Sequence, residues 1–188
     1  GFYSSGDGGE SWSKDNANLP GTDVHGLGMD PQNPETLYAF IVKRGLYRSL
    51  DAGGSWELVN AQKGAMGPIL VDPRQPDTLY LAGRDDFESS DDGGESWRRL
   101  GAIPGGMTMS ISQDRQTPDT FYAANGQLLK SDDGGESWRP VGEGLPEGVS
   151  VVAVSPSNPR ILYAGMLQGE SARVFRSDDG GESWQAQN

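Results

Sequence analysis

Carboxylates are the side chains in this sequence best suited to chemistry, and most of the regularly placed ones sit in five copies of one octad. The copies read Ser5-Gly-Asp7-Gly-Gly9-Glu-Ser11-Trp12, Ser49-Leu-Asp51-Ala-Gly53-Gly-Ser55-Trp56, Ser90-Asp-Asp92-Gly-Gly94-Glu-Ser96-Trp97, Ser131-Asp-Asp133-Gly-Gly135-Glu-Ser137-Trp138 and Ser177-Asp-Asp179-Gly-Gly181-Glu-Ser183-Trp184. Acidic turns of this kind invite a calcium reading. Their spacing, however, fits neither the EF-hand loop nor the glycine-rich β-helix repeat. A local account suffices. Glycine supplies backbone angles that other residues reach at a cost. Asp7, Asp51, Asp92, Asp133 and Asp179 can accept hydrogen bonds from turn amides. Trp12, Trp56, Trp97, Trp138 and Trp184 each bring a large ring to bury between sheets. These ten residues read as structural, and no metal or cofactor is assigned to them.

A second group departs from the repeat. Glu88 stands where the other copies have Tyr3, Tyr47, Leu129 and Phe175, and it follows Arg84-Asp85-Asp86 closely. Glycoside hydrolysis needs two carboxylates about 5–9.5 Å apart beside the sugar. Asp85, Asp86 and Glu88 are therefore the catalytic candidates. A cation site and a plain solvated edge are the competing readings of the same cluster. His25 is the single histidine. It opens a strand whose register places Gly67, Met107 and Ser150 at the matching positions, near the mouth of a central channel. Met66, Met107 and Met109 offer a soft contact patch or channel packing. The binding candidates are His25, Lys43, Arg44, Arg84, Met107 and Arg173.

The elements that hold these groups follow from the period. Successive tryptophans are 44, 41, 41 and 46 residues apart. Spacings of roughly 40–50 residues mark an array in which each repeat is one supersecondary unit. Val24–Met29 reads as strand A, and Asp30-Pro-Gln-Asn-Pro34 as a turn that its prolines stop from joining a ladder. Thr36–Val42 reads as strand B, Gly45–Arg48 as strand C and Ser55–Val59 as strand D. Strand A recurs at Gly67–Val71, Met107–Ile111 and Val149–Val154. Strand B recurs around Tyr80, Tyr122 and Tyr163. Adjacent apolar pairs such as Leu46/Tyr47 and Leu128/Leu129 break in/out alternation, as sheets covered on both faces require. The chain is thus expected to be all-β, a β-propeller of four-stranded antiparallel blades. Residues 1–16 supply strands C and D of a half blade, and full blades span about 23–60, 65–101, 106–142 and 149–188 of a single domain.

Loop lengths show where variation concentrates. From each octad Trp to the next strand B Tyr the distance is 26, 24, 25 and 25 residues; from that Tyr to the next octad Ser it is 11, 10, 9 and 14. The B–C loops are Lys43-Arg44, Arg84–Asp86, Asn125–Gln127 and Leu167–Arg173. In a meander they emerge beside the D–A loops and opposite the octads. Variable loops on a rigid scaffold usually carry binding.

Composition narrows the partners. The net charge is −12, which repels phosphate backbones and argues against nucleic acid. There is no cysteine, hence no disulfide or thiolate site. No apolar run approaches the roughly 18 residues of a membrane span. Gly1 reads as mid-strand with no signal peptide before it, so a leader has been removed or the chain is an excerpt. Strands A and B of the half blade are missing. The expected ring is therefore part of a larger propeller, is completed by an oligomer or complex, or closes with a defective blade.

The octads resemble the Asp box, Ser-x-Asp-x-Gly-x-Ser/Thr-Trp/Phe, of BNR repeat proteins, and the resemblance runs through the whole chain. That family includes sialidases, xyloglucan-cleaving glycosidases, sortilin-type receptor ectodomains and photosystem II assembly factors. The Asp-Pro-x-x-Pro-Asp/Glu-Thr-Leu-Tyr segments look especially like bacterial BNR proteins called glycosyl hydrolases by similarity. The resemblance implies that the box lies on the C–D turn, away from the catalytic face. The sialidase signature does not carry over. No Arg-Ile-Pro occurs, and Tyr3, Tyr38, Tyr47, Tyr80, Tyr122 and Tyr163 all occupy repeat positions that packing explains. The two aspartates of the xyloglucan class match no particular position. The expectation is a non-enzymatic binding or scaffold module that contacts a protein or carbohydrate partner through its B–C and D–A loops. Part of a glycoside hydrolase is the alternative, and a structural subunit of a larger complex a further one. An extracellular or periplasmic setting goes with these relatives.

Overall fold

The structure is a computed structural model that describes residues 1–14, 18–64, 67–169 and 171–187. The described residues fold into one two-stranded and four four-stranded antiparallel sheets. The first sheet pairs β1 (Tyr3–Ser4) with β2 (Ser13–Lys14). The second runs β3 (Val24–Met29), β4 (Leu37–Ile41), β5 (Gly45–Ser49) and β6 (Glu57–Asn60). The third holds β7 (Ile69–Val71), β8 (Leu79–Ala82), β9 (Phe87–Ser90) and β10 (Arg98–Gly101). The fourth holds β11 (Ser110–Gln113), β12 (Phe121–Ala124), β13 (Leu128–Ser131) and β14 (Arg139–Val141). The fifth holds β15 (Val149–Val154), β16 (Leu162–Gln168), β17 (Ser171–Ser177) and β18 (Gln185–Gln187). Each four-stranded sheet is a simple meander, the blade of a β-propeller. No helix is long and apolar enough to cross a membrane among the described residues.

The chain forms two compact units, residues 1–80 with 90–97, and residues 81–89 with 98–188. In each, the second strand of a blade is the core. Every residue of β4 and of β12 is buried, so both faces of these strands are covered. Burying a Leu or Phe of this kind is worth about 1.5–3 kcal/mol.

One joint recurs between neighbouring blades. In the first unit, a methyl group placed on Gly53 would lie 2.7 Å from the Phe2 ring, and one on Gly94 would run into Leu46. In the second unit, one on Gly135 would run into Phe87. The glycines of these three boxes are thus sockets for an apolar side chain of the preceding blade, and a left-handed φ of 93–98° disfavours other residues there as well. The box Trp closes the joint. Phe2 meets Trp56 edge-on at 5.9 Å, Phe40 meets Trp97 at 6.4 Å, and Phe87 meets Trp138 edge-on at 5.4 Å.

Three expectations need correction. The strand expected at Met107–Ile111 begins three residues later, at Ser110. Gly105 and Gly106 both take left-handed angles, and Met107 forms an isolated bridge to Arg84 instead. The expected loop Leu167–Arg173 is mostly strand, because β16 and β17 pair out to Gln168↔Ser171, with Arg173 opposite Met166. Glu170 in that segment lies outside the described residues. The tryptophans are not deeply buried: four are half-buried, and Trp12 is 63% exposed.

Candidate functional site

The Asp boxes hold the most strongly polarised carboxylates, and their geometry leaves nothing free for chemistry. In the fourth box, the buried Ser131 hydroxyl accepts the Gly135 N–H at 2.8 Å and donates to Asp133 Oδ1 at 2.8 Å. Asp133 Oδ1 also accepts the Ser137 N–H at 2.9 Å, and its Oδ2 accepts the Ser137 hydroxyl. The Trp138 indole N–H closes the turn on the Gly135 carbonyl at 3.2 Å. The same five contacts recur around Asp7, Asp51, Asp92 and Asp179. The hydroxyl of the second box serine, then its amide, and then the first serine hold Asp92 and Asp133 down to about 2, and lower Asp7, Asp51 and Asp179 in the same way. These aspartates are ionised caps at neutral pH.

The box turn is also tied to the A–B turn of its own blade. The amides of Ala52, Gly93, Gly134 and Gly180 donate to the carbonyls of Glu35, Asp77, Asp119 and Arg160 at 2.8–2.9 Å. Boxes and A–B turns therefore share one end of each blade. The A–B turns carry a feature that sequence reasoning passed over. Asp30, Asp72 and Asp114 are buried, and each accepts the amide two residues on at 2.8 Å. The Asp-Pro or Asp-Arg dipeptide was the available signal.

The opposite end carries the B–C and D–A loops. In the first unit, Val42 N–H donates to Asp23 O at 2.9 Å, which sets Lys43 and Arg44 at the same end of the sheet as His25. All three are exposed. His25 Nε2 lies 3.0 Å from Asp23 Oδ1, a surface contact with an identifiable partner. His25 also lines a cavity of about 400 Å³ with Phe2, Tyr3, Val24 and Leu27.

In the second unit the corresponding loops are latched together. Arg84 bridges Met107, and Gly126 bridges Val149. Asp85 takes a left-handed φ of 57°, and its Oδ1 accepts the Gly106 N–H at 2.9 Å. Its carbonyl accepts from Arg99 at 3.2 Å. Asn125 donates to Pro104 O at 2.8 Å. Asp86 stands so close over Gly83 that a Cβ there would strike its carboxylate, and its carbonyl accepts the Gly83 N–H. Glu88 lies on β9 opposite Arg99, half-buried. Thus Arg84, Asp85 and Met107 come together, and Asp85 works as a loop clamp. Arg173 projects from the β16–β17 hairpin and is exposed. Met66 lies outside the described residues.

A second arrangement was missed. The strand B tyrosines face a cation on strand C: Tyr38 opposite Arg48, Tyr122 opposite Lys130, Tyr163 opposite Arg176. Lys130 and Arg176 sit 5.5 and 5.9 Å over the rings. Each cation also pairs with a carboxylate, Glu57, Asp132 and Asp178 respectively, at 2.6–2.7 Å. Burial raises the Tyr38 and Tyr122 hydroxyls. The signal was the basic residue directly before the box serine.

Comparison with known proteins agrees with this geometry. The family model for the BNR/Asp-box repeat matches residues 175–186. No curated protein sequence matches the chain. Among solved structures, an ancestral GH74 enzyme superposes with a TM-score of 0.68 at 22% identity, covering 98% of this chain and 28% of that one. The chain therefore spans under a third of that enzyme's length. YCF48 bound to D1 peptide gives 0.58 at 15% identity, covering 96% of this chain and 73% of that one. A chain of a nidogen/laminin complex gives 0.70 at 15% identity, covering 96% and 68%. At these identities the likeness is one of fold. The chain is thus a β-propeller in which the BNR/Asp-box repeat is matched at residues 175–186, and the other four octads share its pattern.

Proposed function

We propose that this propeller is a non-enzymatic binding module that takes an extended peptide or glycan across its B–C and D–A loops. The observation that carries this reading is the latched loop end of the second unit. The bridge between Arg84 and Met107 and the Asp85 clamp on Gly106 make a stiff rim with an exposed cation on it. A carboxylate bound to a loop amide is placed for positioning rather than for proton transfer to a sugar. In support, a similar fold is described with a bound D1 peptide and another in a protein complex. An extracellular or periplasmic setting, and a role inside a larger assembly, go with the same reading.

Part of a glycoside hydrolase is the second reading. It is favoured by the coverage of nearly the whole chain by a GH74 enzyme, and by Asp86 and Glu88 standing two residues apart near the loop end. One experiment separates the two. The chain is incubated with xyloglucan oligosaccharides and with a panel of extended peptides, and both sugar release and binding are measured. Binding without turnover, weakened about tenfold by Arg84→Glu, supports the module. Sugar release that disappears in Asp86→Asn or Glu88→Gln would establish the hydrolase and overturn the first reading.

A further inference from the structure

We infer that the joint between the β11–β14 sheet and the fifth Asp box is a binding site for the guanidinium of an arginine in a basic peptide. The site lies wholly in the second unit and does not rest on the loop-end reading above.

Three other joints show how a box is closed by the end of the preceding strand D. Asn60, four residues after its box Trp, donates from Nδ2 to Glu95 O at 2.8 Å and reaches Gly94 O at 3.4 Å. Gly101 holds the same place after Trp97, and packs so close that a Cβ would strike the Gly135 and Glu136 carbonyls. Asn18, on the way out of the first sheet, donates to Gly54 O at 2.6 Å. In each case the carbonyls of one box are covered by the blade before it.

At the fifth box the matching residue is Gly142, and the chain turns away there. Gly142 and Gly144 take left-handed φ angles of 88° and 87°, and Gly142 O accepts the Leu145 N–H at 2.9 Å. The turn folds back on its own sheet. A Cβ on Gly142 would meet Leu145 at 2.9 Å and Leu128 at 3.4 Å, not the box. Gly181 shows the same gap from the other side. A Cβ there would meet only the rings of Tyr122 and Trp184, at 3.8 and 3.9 Å, whereas one on Gly94 or Gly135 runs into Leu46 or Phe87. A cavity of about 570 Å³ results, with Lys130, Arg139, Val141, Glu143, Gly181 and Glu182 in its wall. That is a size that takes a small ligand or one large side chain.

The wall selects the ligand. Gly181 and Glu182 correspond to Gly94 and Glu95, whose carbonyls accept from Asn60, so the occupant should bring N–H donors. Lys130 and Arg139 are both engaged by Asp132, at 2.7 and 2.9 Å. Asp179 is held by the hydroxyls of Ser177 and Ser183. Glu143 and Glu182 are exposed and make no ion pair among the described residues. A cationic group that only donates therefore fits, and an anion or an acceptor-rich ligand does not. Guanidinium offers several N–H donors in one plane and no acceptor, and its flat, weakly hydrated face suits a wall of Pro140 and Val141. The net charge of −12 draws a basic peptide to the surface.

The test titrates acetyl-Gly-Arg-Gly-amide into the full chain and follows amide NMR shifts and binding heat. Saturating shifts are expected at residues 141–143 and 180–182. The citrulline tripeptide, of the same shape but uncharged, should bind at least ~10-fold more weakly. Glu143→Gln and Glu182→Gln should each weaken binding by ~3–10-fold. Glu136→Gln is the control: it makes the same charge change at the same octad position, but at a closed joint, and should alter affinity by less than ~2-fold. All three glutamates are exposed, and circular dichroism should confirm that each variant folds. Arg84→Glu, which tests the loop end, should not weaken this tripeptide, so the two proposals fail separately. Equal weakening by Glu136→Gln would reduce the effect to overall acidity and overturn the inference. Citrulline binding as tightly as arginine would also overturn it, as would unmoved amides at 141–143 and 180–182 under a large excess of peptide.

Discussion

At the scale of single residues, the Asp box is a hydrogen-bond device in which the first serine matters as much as the aspartate. Ser131 is buried and is the acceptor for the Gly135 amide, so Ser131→Ala strands a buried donor. The expected loss is about 1–3 kcal/mol by chemical denaturation. Ser5→Ala, in a box open to water, should cost clearly less. Ala52 is the exception among the residues that follow the box aspartate. It holds a φ of 56° where the other boxes have glycine at 70–82°. Ala52→Gly should therefore raise stability by up to about 1 kcal/mol, the relief of left-handed strain exceeding the added chain entropy. The box aspartates also set the acid response. Asp92 and Asp133 ionise at about 2 in the folded chain, below the usual 3.8. Their stabilisation is complete above the unfolded value and is lost as pH falls from about 4 through 2. Unfolding midpoints measured from pH 6 to 2 should stay level and then drop in that window. Replacing both aspartates by asparagine should flatten the drop.

At the scale of elements, the joint between blades is the unit of stability. Gly135→Ala forces a Cβ into Phe87 and a left-handed angle on alanine at once. It should cost more than the ~1–3 kcal/mol of ordinary overpacking. Phe87→Ala, which empties the same joint, should cost about 3–5 kcal/mol. The double variant should cost less than the sum, because the clash disappears with the ring. The loop latch gives a distinct signature. Asp85→Asn keeps an acceptor for the Gly106 amide and should leave stability nearly unchanged, whereas Asp85→Ala should speed hydrogen exchange at Gly106 and in the 104–109 loop. Loop-end binding should follow the exchange behaviour, being retained in Asp85→Asn and weakened in Asp85→Ala.

At the scale of the whole molecule, most contacts lie within each sheet, and neighbouring sheets meet where β3 packs on β7 and where β11 and β12 pack on β15. A charge of −12 spread over those sheets repels itself. Raising salt from low to physiological strength should increase the unfolding temperature by a few degrees, by screening alone. Because the chain forms two compact units, destabilising substitutions in the second should broaden the thermal transition rather than shift it whole.

The period, the box chemistry and the blade order were all legible in the residues, since each rests on local rules. Glycine and aspartate specify the turn, prolines end strands, and the β-branched and aromatic run around Tyr38 marks a covered strand. That is why β3 and β15 were anticipated to the residue. What the sequence could not reveal depends on contacts between distant segments. The late start of β11 goes with the Arg84–Met107 bridge across a blade boundary; Pro104-Gly105-Gly106 marks a turn there, but the pairing partner of Met107 is not written nearby. Asp85 reads as a catalytic candidate until Gly106, far along the chain, is found on its carboxylate. The extension of the β16–β17 hairpin, which turns Arg173 from a loop residue into a strand residue, is set by pairing rather than by propensity. The sequence by itself determined that the chain is a row of Asp-box blades, because that information is short-range and repeated. Only the tertiary structure decided which carboxylates are committed and that Gly53, Gly94 and Gly135 are filled by side chains of another blade, because these depend on what each blade meets in space.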